Sequence, residues 1–518
     1  MGAAETRTPA RGPDHADGVD EPDVHALELA FVVLAVVVSL VFRFVTRSPM
    51  WLDEALSVNI ARLPVGDIFD ALRHDGHPPL YYVVLHYWME IFGEGDQAVR
   101  ALSGVFSVAT LPLAWLAGRR RGGEVGGALV LLVTAVAPFS LRYATEARMY
   151  SLVALLMLGA WLVADDLRSS PSRSRWLLLA LLTGASLLTH YWAIYAGIAA
   201  VVLLAWRWWR ADERAAALRV GSSLAAGVVC FLPWLGAFLY QAAHTGTPWG
   251  SAARPTQAVM ELAVGIGGGA FPEGTLFGMT VLFAVAVGLL AVERGRSTMV
   301  LDLRTASTVR PEVALALLTL TVGLTAGALS GGAFIARYAA GLIALLFVAA
   351  GIGLSMLPRP WPLRVVVVGL VGLSAVGAAK NVTDSRTQGE SIAEALNAAA
   401  APGDVVAFCP DQIGPSTLRS LEPGVDAVAI PTLDRPDRID WVDYGDRNRS
   451  ADPSALATSL LERAGDGVVW LVFADGYRTY EELCIGVLTE LTTQRPERSV
   501  AQSAKPVGEP STLYRFDP

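Results

Sequence analysis

Long apolar runs recur through the first 380 residues of this chain, each of a length that crosses about 30 Å of hydrocarbon as a helix. They place candidate spans at 27–45, 98–118, 126–141, 149–165, 176–190, 192–208, 218–239, 275–292, 313–331, 338–356 and 364–379. Most connections between them are short. The first long one, 46–97, carries two amphipathic pieces. Residues 55–72 set Leu56, Ile60, Leu63, Ile68 and Phe69 among Asn, Arg and Asp, with a break at Pro64. Residues 79–92 are rich in rings (Tyr81, Tyr82, Tyr87, Trp88). Both patterns predict helices lying in the membrane interface. The second long connection, 241–274, contains Trp249, Gly267-Gly268-Gly269 and Phe271-Pro272 and reads as a mobile cover over a site. Its glycine run lacks the strand, helix and Lys-Ser/Thr context of a phosphate loop.

Beyond Lys380 the period changes. Strand candidates at 404–409, 426–430, 468–473 and 511–516 alternate with helix candidates at 388–399, 453–464 and 479–494. The alternation predicts a small α/β domain over 381–518. Residues 434–448 read as a charged, proline-containing loop with no requirement for order.

Composition agrees with this division. Of 518 residues 53% are hydrophobic and 17% charged, against about 25% charge in soluble domains. The expected fold class is a polytopic α-helical membrane protein of about eleven transmembrane helices. Residues 1–26 form a polar tail expected to be disordered. It lacks the pattern of a secretory signal, so 27–45 reads as a retained first span. One set of connections holds Arg119, Arg120 and Arg121; Arg168, Arg173 and Arg175; Arg207, Arg210, Arg214 and Arg219; Arg294, Arg296, Arg304 and Arg310; and Arg359 with Arg364. The opposite short loops hold only Arg142, Arg148, Arg254 and Arg337. The Arg-rich side is expected to be cytoplasmic, with the N-terminus inside and the 381–518 domain extracytoplasmic. That domain has 22 Asp plus Glu and 12 Lys plus Arg, so it carries −10 of the chain's net −8. This balance and the lack of a basic, ring-interleaved patch give no reason to expect a nucleic-acid partner. Cys409 and Cys484 fit either a disulfide, if their segment is extracytoplasmic, or two buried thiols.

Polar residues gather where apolar runs end on the outward side. Trp51-Leu52-Asp53-Glu54 follows the first span. A carboxylate against an apolar wall suits a general base, and adjacent residues point different ways, which favours Asp53 alone in that role; capping the helix that follows is the structural alternative. His74-Asp75-Gly76-His77-Pro78-Pro79-Leu80-Tyr81 joins two imidazoles to a rigid turn. Asp53, Glu54, His74 and His77 are candidates for a divalent metal, at spacings that do not diagnose one; His77 equally suits a phosphate contact. Glu146, Arg148 and Tyr150 lie between the third and fourth spans. His190-Tyr191 ends another span, as a site pair or as an interfacial anchor. Arg337-Tyr338 puts a lone guanidinium on the Arg-poor side, where its planar donors suit a phosphate.

These motifs resemble those of the multi-span C-type glycosyltransferases that use polyprenyl-phosphate donors, in the branch of the protein O-mannosyltransferases and lipid A aminoarabinose transferases. The resemblance covers 27–380 and rests on Trp51-Leu-Asp53-Glu54, His77-Pro-Pro-Leu-Tyr81, Glu146-Ala-Arg148-Met-Tyr150 and Arg337-Tyr338. It implies that Asp53 is the base, that Glu146 and Arg148 hold hydroxyls of sugar or acceptor, and that Arg337-Tyr338 meets the lipid phosphate. It further implies an inverting transfer of sugar from a polyprenyl-phosphate donor to the hydroxyl of an envelope glycan, glycolipid or protein. Tyr81, Tyr82 or Trp88 would stack on sugar faces. No nucleotide cofactor is expected, and metal dependence stays open because family members differ. The competing readings are a transporter or flippase for a lipid-linked or anionic solute, and a scaffold that recruits partners through its tail.

Overall fold

The computed structural model describes residues 21–209, 213–295, 297–304, 308–358 and 360–518. Residues 1–20 of the expected tail lie outside these; residues 21–26 are already helical, part of α1 (Glu21–Phe42). Three helices follow in the first long connection: α2 (Leu52–Ala61), α3 (Val65–Asp75) and α4 (Leu80–Phe92), with Pro64 separating α2 from α3. The bundle continues through α5 (Asp96–Val136), α6 (Pro138–Ala144), α7 (Tyr150–Ser169), α8 (Arg173–Leu187), α9 (Trp192–Trp209), α10 (Arg214–Val229), α11 (Leu235–His244), α12 (Pro255–Ile266) and α13 (Pro272–Leu290). After the hairpin β1 (Ala291–Arg294) and β2 (Met299–Leu301) come α14 (Arg310–Ser330), α15 (Ala340–Ser355) and α16 (Trp361–Thr383).

Every apolar run of the sequence falls on a helix. Among the described residues, seven helices are long and apolar enough to cross a membrane, or eight if the bent pair of α10 and α11 is one span. The chain is therefore a multi-pass membrane protein. Two expected spans share the 41-residue α5, which breaks at Gly122 and Gly123; Gly123 has φ +65°, a backbone position that favours glycine. α15 runs through the middle and is buried at all of its residues. Its glycines permit this. A Cβ on Gly353 would stand 1.8 Å from the Ala284 carbonyl oxygen, and one on Gly351 would stand 2.5 Å from Val130 Cγ2. Close approach through small residues is how helices associate in lipid, where no hydrophobic drive separates helix from solvent.

Pro138 illustrates a second requirement of the membrane. It has no N–H, so the Thr134 carbonyl four residues earlier loses its helical partner. Arg43, fully buried at the end of α1, donates from Nη2 to that carbonyl at 3.2 Å, from Nη1 to Ser39 O at 2.8 Å and from Nε to Ser107 Oγ at 3.0 Å. A single guanidinium thus ties α1 to both arms of α5 without a carboxylate.

The segment 241–274 is not an open loop. Its α12 packs against the turn at Ala336, where a Cβ on Gly265 would meet Ala336 Cβ at 2.1 Å. Gly268 and Gly269, at φ +84° and +151°, then turn the chain into α13.

The C-terminal unit contains α17 (Gly389–Ala399), β3 (Val405–Cys409), α18 (Gly414–Leu418), β4 (Asp426–Ala429), α19 (Tyr444–Ser450), α20 (Pro453–Ala464), β5 (Val469–Phe473), α21 (Glu481–Gln494), β6 (Arg498–Gln502) and β7 (Thr512–Phe516). The sheet order is β4-β3-β5-β7-β6, parallel between β3 and its two neighbours and antiparallel beyond β5. α20 and α21 cover one face, with Cys409 disulfide-bonded to Cys484, and α17 the other. Leu52 and Leu56 of α2 enter the first of these cores, so α2, expected at the membrane interface, is instead buried between the bundle and the sheet domain. Residues 434–448, expected as a loop free to lack order, are folded: Asp440 pairs with His74 at 3.0 Å and Asp443 with His244 at 3.1 Å. Charges on 434–448 that suggested solvation are used to dock the domain on the bundle.

Candidate active site

At the end of the bundle beneath the sheet domain, α2 begins directly after the extended Trp51. Its first turn points Asp53 one way and Glu54 the other. Glu54 is completely buried. It accepts from Arg100 Nε at 2.7 Å and Nη2 at 2.6 Å, from Arg386 Nη1 at 3.4 Å and from the Ala147 N–H at 3.0 Å. Burial alone would push its carboxyl up, but the guanidiniums of Arg100 and Arg386 and the Ala147 N–H outweigh it and hold the pKa at about 2. The expected substrate contact through Glu54 is therefore corrected: this side chain is spent on joining α2, α5 and the 145–148 turn.

Asp53 faces the opposite side. Its Oδ2 lies 3.4 Å from Arg337 Nη2 and 3.8 Å from Arg148 Nε, and accepts no hydrogen bond although buried. Arg148 is held from below, with Nη1 donating to Ser57 Oγ at 3.2 Å and Tyr82 Oη at 3.3 Å, and Nη2 to His77 Nε2 at 3.0 Å. A guanidinium only donates, so His77 Nε2 accepts. The ring proton then sits on Nδ1 and is donated to Asp75 Oδ2 at 2.7 Å. The Tyr82 hydroxyl donates to the same oxygen at 3.1 Å. Asp75, His77, Arg148 and Asp53 thus form one chain of contacts.

Rings wall the opposite side. Tyr143 and Tyr150 stand 5.0 Å apart, Tyr150 and His190 5.9 Å, and His190 and Tyr338 5.5 Å between centroids. Arg337 lies over the Trp51 ring at 5.3 Å and the Tyr338 ring at 5.9 Å. Among the described residues, five buried polar atoms of this cluster make no hydrogen bond: Trp51 Nε1, Asp53 Oδ2, Arg148 Nε, Tyr150 Oη and Arg337 Nε. Each such group costs about 1–3 kcal/mol when left unmade, and their concentration at one place marks a surface built for a polar ligand.

The structure brings together Asp53, His77, Arg148, His190, Arg337 and Tyr338 from the sequence candidates. Others sit elsewhere. Glu146 is next to the cluster, paired with Arg142 at 3.3 Å and Arg386 at 3.7 Å, with Oε1 unpartnered. Tyr81 is fully buried and hydrogen-bonded to Ser103, which in turn donates to the Arg148 carbonyl; both Tyr81 and Tyr82 are closed to sugar stacking, and they fix the Arg148 turn instead. Tyr191 turns away to Trp234 and Gln241, and Gln241 Nε2 holds the Leu72 carbonyl at 2.6 Å. The four metal candidates do not converge, because His74 pairs with Asp440 and Glu54 with Arg100. Among the described residues no three of His, Cys, Asp and Glu form a metal-holding group.

Several contributors were missed in the sequence. Arg386 donates to the Thr145 carbonyl at 3.0 Å, Thr145 Oγ1 at 2.9 Å and Asn381 Oδ1 at 3.1 Å. Burial first, then the neighbouring Arg142, pulls its pKa down to about 10 against the pull of Glu54 and Glu146. Arg100 lies within an otherwise apolar run, and a charge buried there was the available signal for an ion-pair partner.

The sequence model of the family described as dolichyl-phosphate-mannose-protein mannosyltransferase matches residues 76–236. Among solved structures, the chain is similar to ArnT from Cupriavidus metallidurans in the apo state, with TM-score 0.61 and 15% identity over 94% of this chain and 98% of that one. It is also similar to the same protein bound to undecaprenyl phosphate, with TM-score 0.58 and 14% identity over 96% and 98%. The polytopic helical fold expected from the C-type resemblance, with sheet in the C-terminal region, is the one found. No curated protein matches the chain by sequence.

Proposed function

We propose that this chain is a glycosyltransferase that moves a sugar from a polyprenyl-phosphate donor to a hydroxyl acceptor at the membrane face bearing the sheet domain. The observation that carries this reading is the pair of buried guanidiniums, Arg148 and Arg337, that converge on Asp53 while the Nε of each is left without a hydrogen-bond acceptor. Buried donors need acceptors, and a sugar phosphodiester is a monoanion whose oxygens suit planar guanidinium forks. A prenyl tail would remain in hydrocarbon while the phosphate reached these residues. The family model and the fold of a protein captured with undecaprenyl phosphate support the same class.

The residues take the following roles. Arg337 and Arg148 bind the phosphate and stabilise its charge as the bond to the anomeric carbon breaks. Both guanidiniums face Asp53; a phosphodiester competes for them and releases Asp53 Oδ2. Asp53 takes the proton of the acceptor hydroxyl while that oxygen attacks the opposite face of the anomeric carbon, inverting it. The electron pair of the broken bond leaves with the phosphate. His77, fixed by Asp75, orients Arg148. Tyr150, His190 and Tyr338 line the sugar's side, and Glu146 Oε1 accepts from a sugar or acceptor hydroxyl.

The sheet domain lies outside the cytoplasm in this reading. The Arg-rich connections cluster at the other end of the bundle, where Arg120 pairs with Asp166, Arg121 with Glu312 and Arg168 with Glu213, and the Cys409–Cys484 disulfide suits an oxidising compartment. An envelope glycan is the preferred acceptor because a folded outward domain stands beside the site. The transporter reading has no observation in its favour, since the functional cluster lies at one end of the bundle.

The test is incubation of purified protein with a panel of polyprenyl-phosphate hexoses and pentoses and envelope acceptors. Wild type transfers sugar from at least one donor. Arg337→Ala lowers the rate by at least about 100-fold, and Arg337→Lys recovers part of it by restoring charge without the planar fork. Equal rates for wild type and Arg337→Ala would remove the phosphate assignment; no reaction or binding across the panel would remove the enzyme class.

A further inference from the structure

We propose that Glu509, from the sheet domain, is a positioning residue for Asp53: its carboxyl group receives the first backbone N–H of the helix on which Asp53 stands. This rests on the reading of Asp53 as the base.

A helix N-terminus leaves backbone N–H groups without intrahelical partners, and a Ser, Thr, Asp or Asn at the cap normally supplies an oxygen. α2 has Trp51 at its cap, which offers no side-chain acceptor, and no side-chain cap hydrogen bond forms there. The acceptor comes instead from 457 residues away. Leu52 N donates to Glu509 Oε1 at 3.2 Å and Oε2 at 3.3 Å. Asp53 is the next residue, so the direction of its side chain follows the placement of that first turn.

The segment presenting Glu509 is itself pinned. Gln388 Oε1 accepts from Lys505 N at 2.9 Å and Ser511 N at 3.2 Å, its Nε2 donates to Ser503 O at 2.9 Å, and its backbone N–H donates to Glu509 O at 3.2 Å. Gly508 lies flat on the chain at Arg386, where a Cβ would stand 2.5 Å from the Arg386 carbonyl oxygen. Arg386 and Glu509 therefore form one unit, which grips the 145–148 turn through Thr145 and α2 through Leu52. The sheet domain holds both halves of the site in register.

Burial, with a contribution from the carboxylates of Asp53 and Glu54 on α2, pushes Glu509 up to about 8, against hydrogen bonds from Thr387 and the Leu52 N–H. Burial, then the charge of Glu509, also pushes the Tyr477 hydroxyl up. The carboxyl group is thus neutral at neutral pH, and glutamine reproduces both its shape and its charge.

The experiment uses the full chain in detergent, with a donor that wild type accepts, and hydrogen–deuterium exchange of the peptide covering 51–56. Glu509→Ala is expected to lower kcat by about 10- to 100-fold, the scale of a displacement of about 1 Å, with donor KM little changed and faster exchange at Leu52 to Glu54. Glu509→Gln restores kcat and exchange. Above about pH 8 wild type loses kcat as Glu509 ionises beside Asp53 and Glu54, and Glu509→Gln does not. Unchanged kcat and exchange in Glu509→Ala overturn the proposal, as does a loss that Gln fails to rescue. If Glu509→Ala does not fold, Glu509→Asp, one methylene short of Leu52, decides: it is expected to lower kcat and quicken exchange at Leu52 to Glu54, and wild-type values of both overturn the proposal. If wild type transfers no sugar, the glycosyltransferase reading fails and exchange alone judges the Leu52–Glu509 contact.

Discussion

Asp53→Asn lowers the rate of sugar transfer by about 100- to 10,000-fold, the usual worth of a positioned general base. Asparagine keeps the shape of the side chain but cannot take a proton. Polyprenyl phosphate binding should survive and even tighten. In the wild type Asp53 competes with the ligand for Arg337, 3.4 Å away, and for Arg148, 3.8 Å away, and the substitution removes the competitor's charge. The two measurements are the single-turnover rate and the equilibrium binding of the free lipid phosphate. A rate within a few-fold of wild type would transfer the base role to another group; lost binding with a normal rate per bound donor would make Asp53 a ligand contact.

Glu54→Ala should be destabilising by about 3–5 kcal/mol, the cost of leaving a buried cation without its partner. Arg100 would keep only the Ser48 and Pro49 carbonyls, and the Ala147 N–H would lose its acceptor. The double change Glu54→Leu with Arg100→Met removes both charges and should recover much of the stability. Recovery of folding and of transfer together would mark Glu54 as a group that joins the loops; folding without transfer would return it to the list of substrate contacts. Acid acts in the same direction as the mutation. The carboxyl titrates at about 2 in the folded chain and near 4.5 when unfolded, so its contribution is complete above about pH 4.5 and is lost as pH falls towards 2. Thermal denaturation in detergent at pH 3 and pH 6 should therefore separate wild type from the double variant more at pH 6.

How much could be read beforehand varied with the range of the signal. Apolar runs report burial in lipid directly, so each lies on a helix. Charged residues at the ends of such runs are costly without a use, which is why Asp53, Arg148 and Arg337 were identifiable although 284 residues separate the first from the last. In the α/β unit the period-two and helical patterns are local, and β3, β4, β5 and β7 fall on the expected segments. β6 was missed because its exposed side chains, Arg498 to Gln502, show no apolar alternation. Residues whose role depends on a distant partner were illegible. Nothing near Glu54 announces Arg100, nothing near Tyr81 announces Ser103, and Tyr191 looks like a site residue until Gln241 is placed beside it. The four metal candidates do not converge for the same reason: His74 meets Asp440 only through the tertiary fold. Arg386 sits just beyond the final span, in a stretch that resembles a linker.

The contact from Leu52 to Glu509 also has a consequence for the making of the protein. The two residues are 457 positions apart, and at about 5–20 residues per second a ribosome takes roughly 20–90 s to travel between them. For that interval the nascent chain holds Asp53, and in due course Arg148 and Arg337, in the membrane without the acceptor that starts α2. If Glu509 positions Asp53 as proposed, a half-made chain is a poor consumer of activated lipid, and the order of synthesis delays chemistry until the sheet domain has folded.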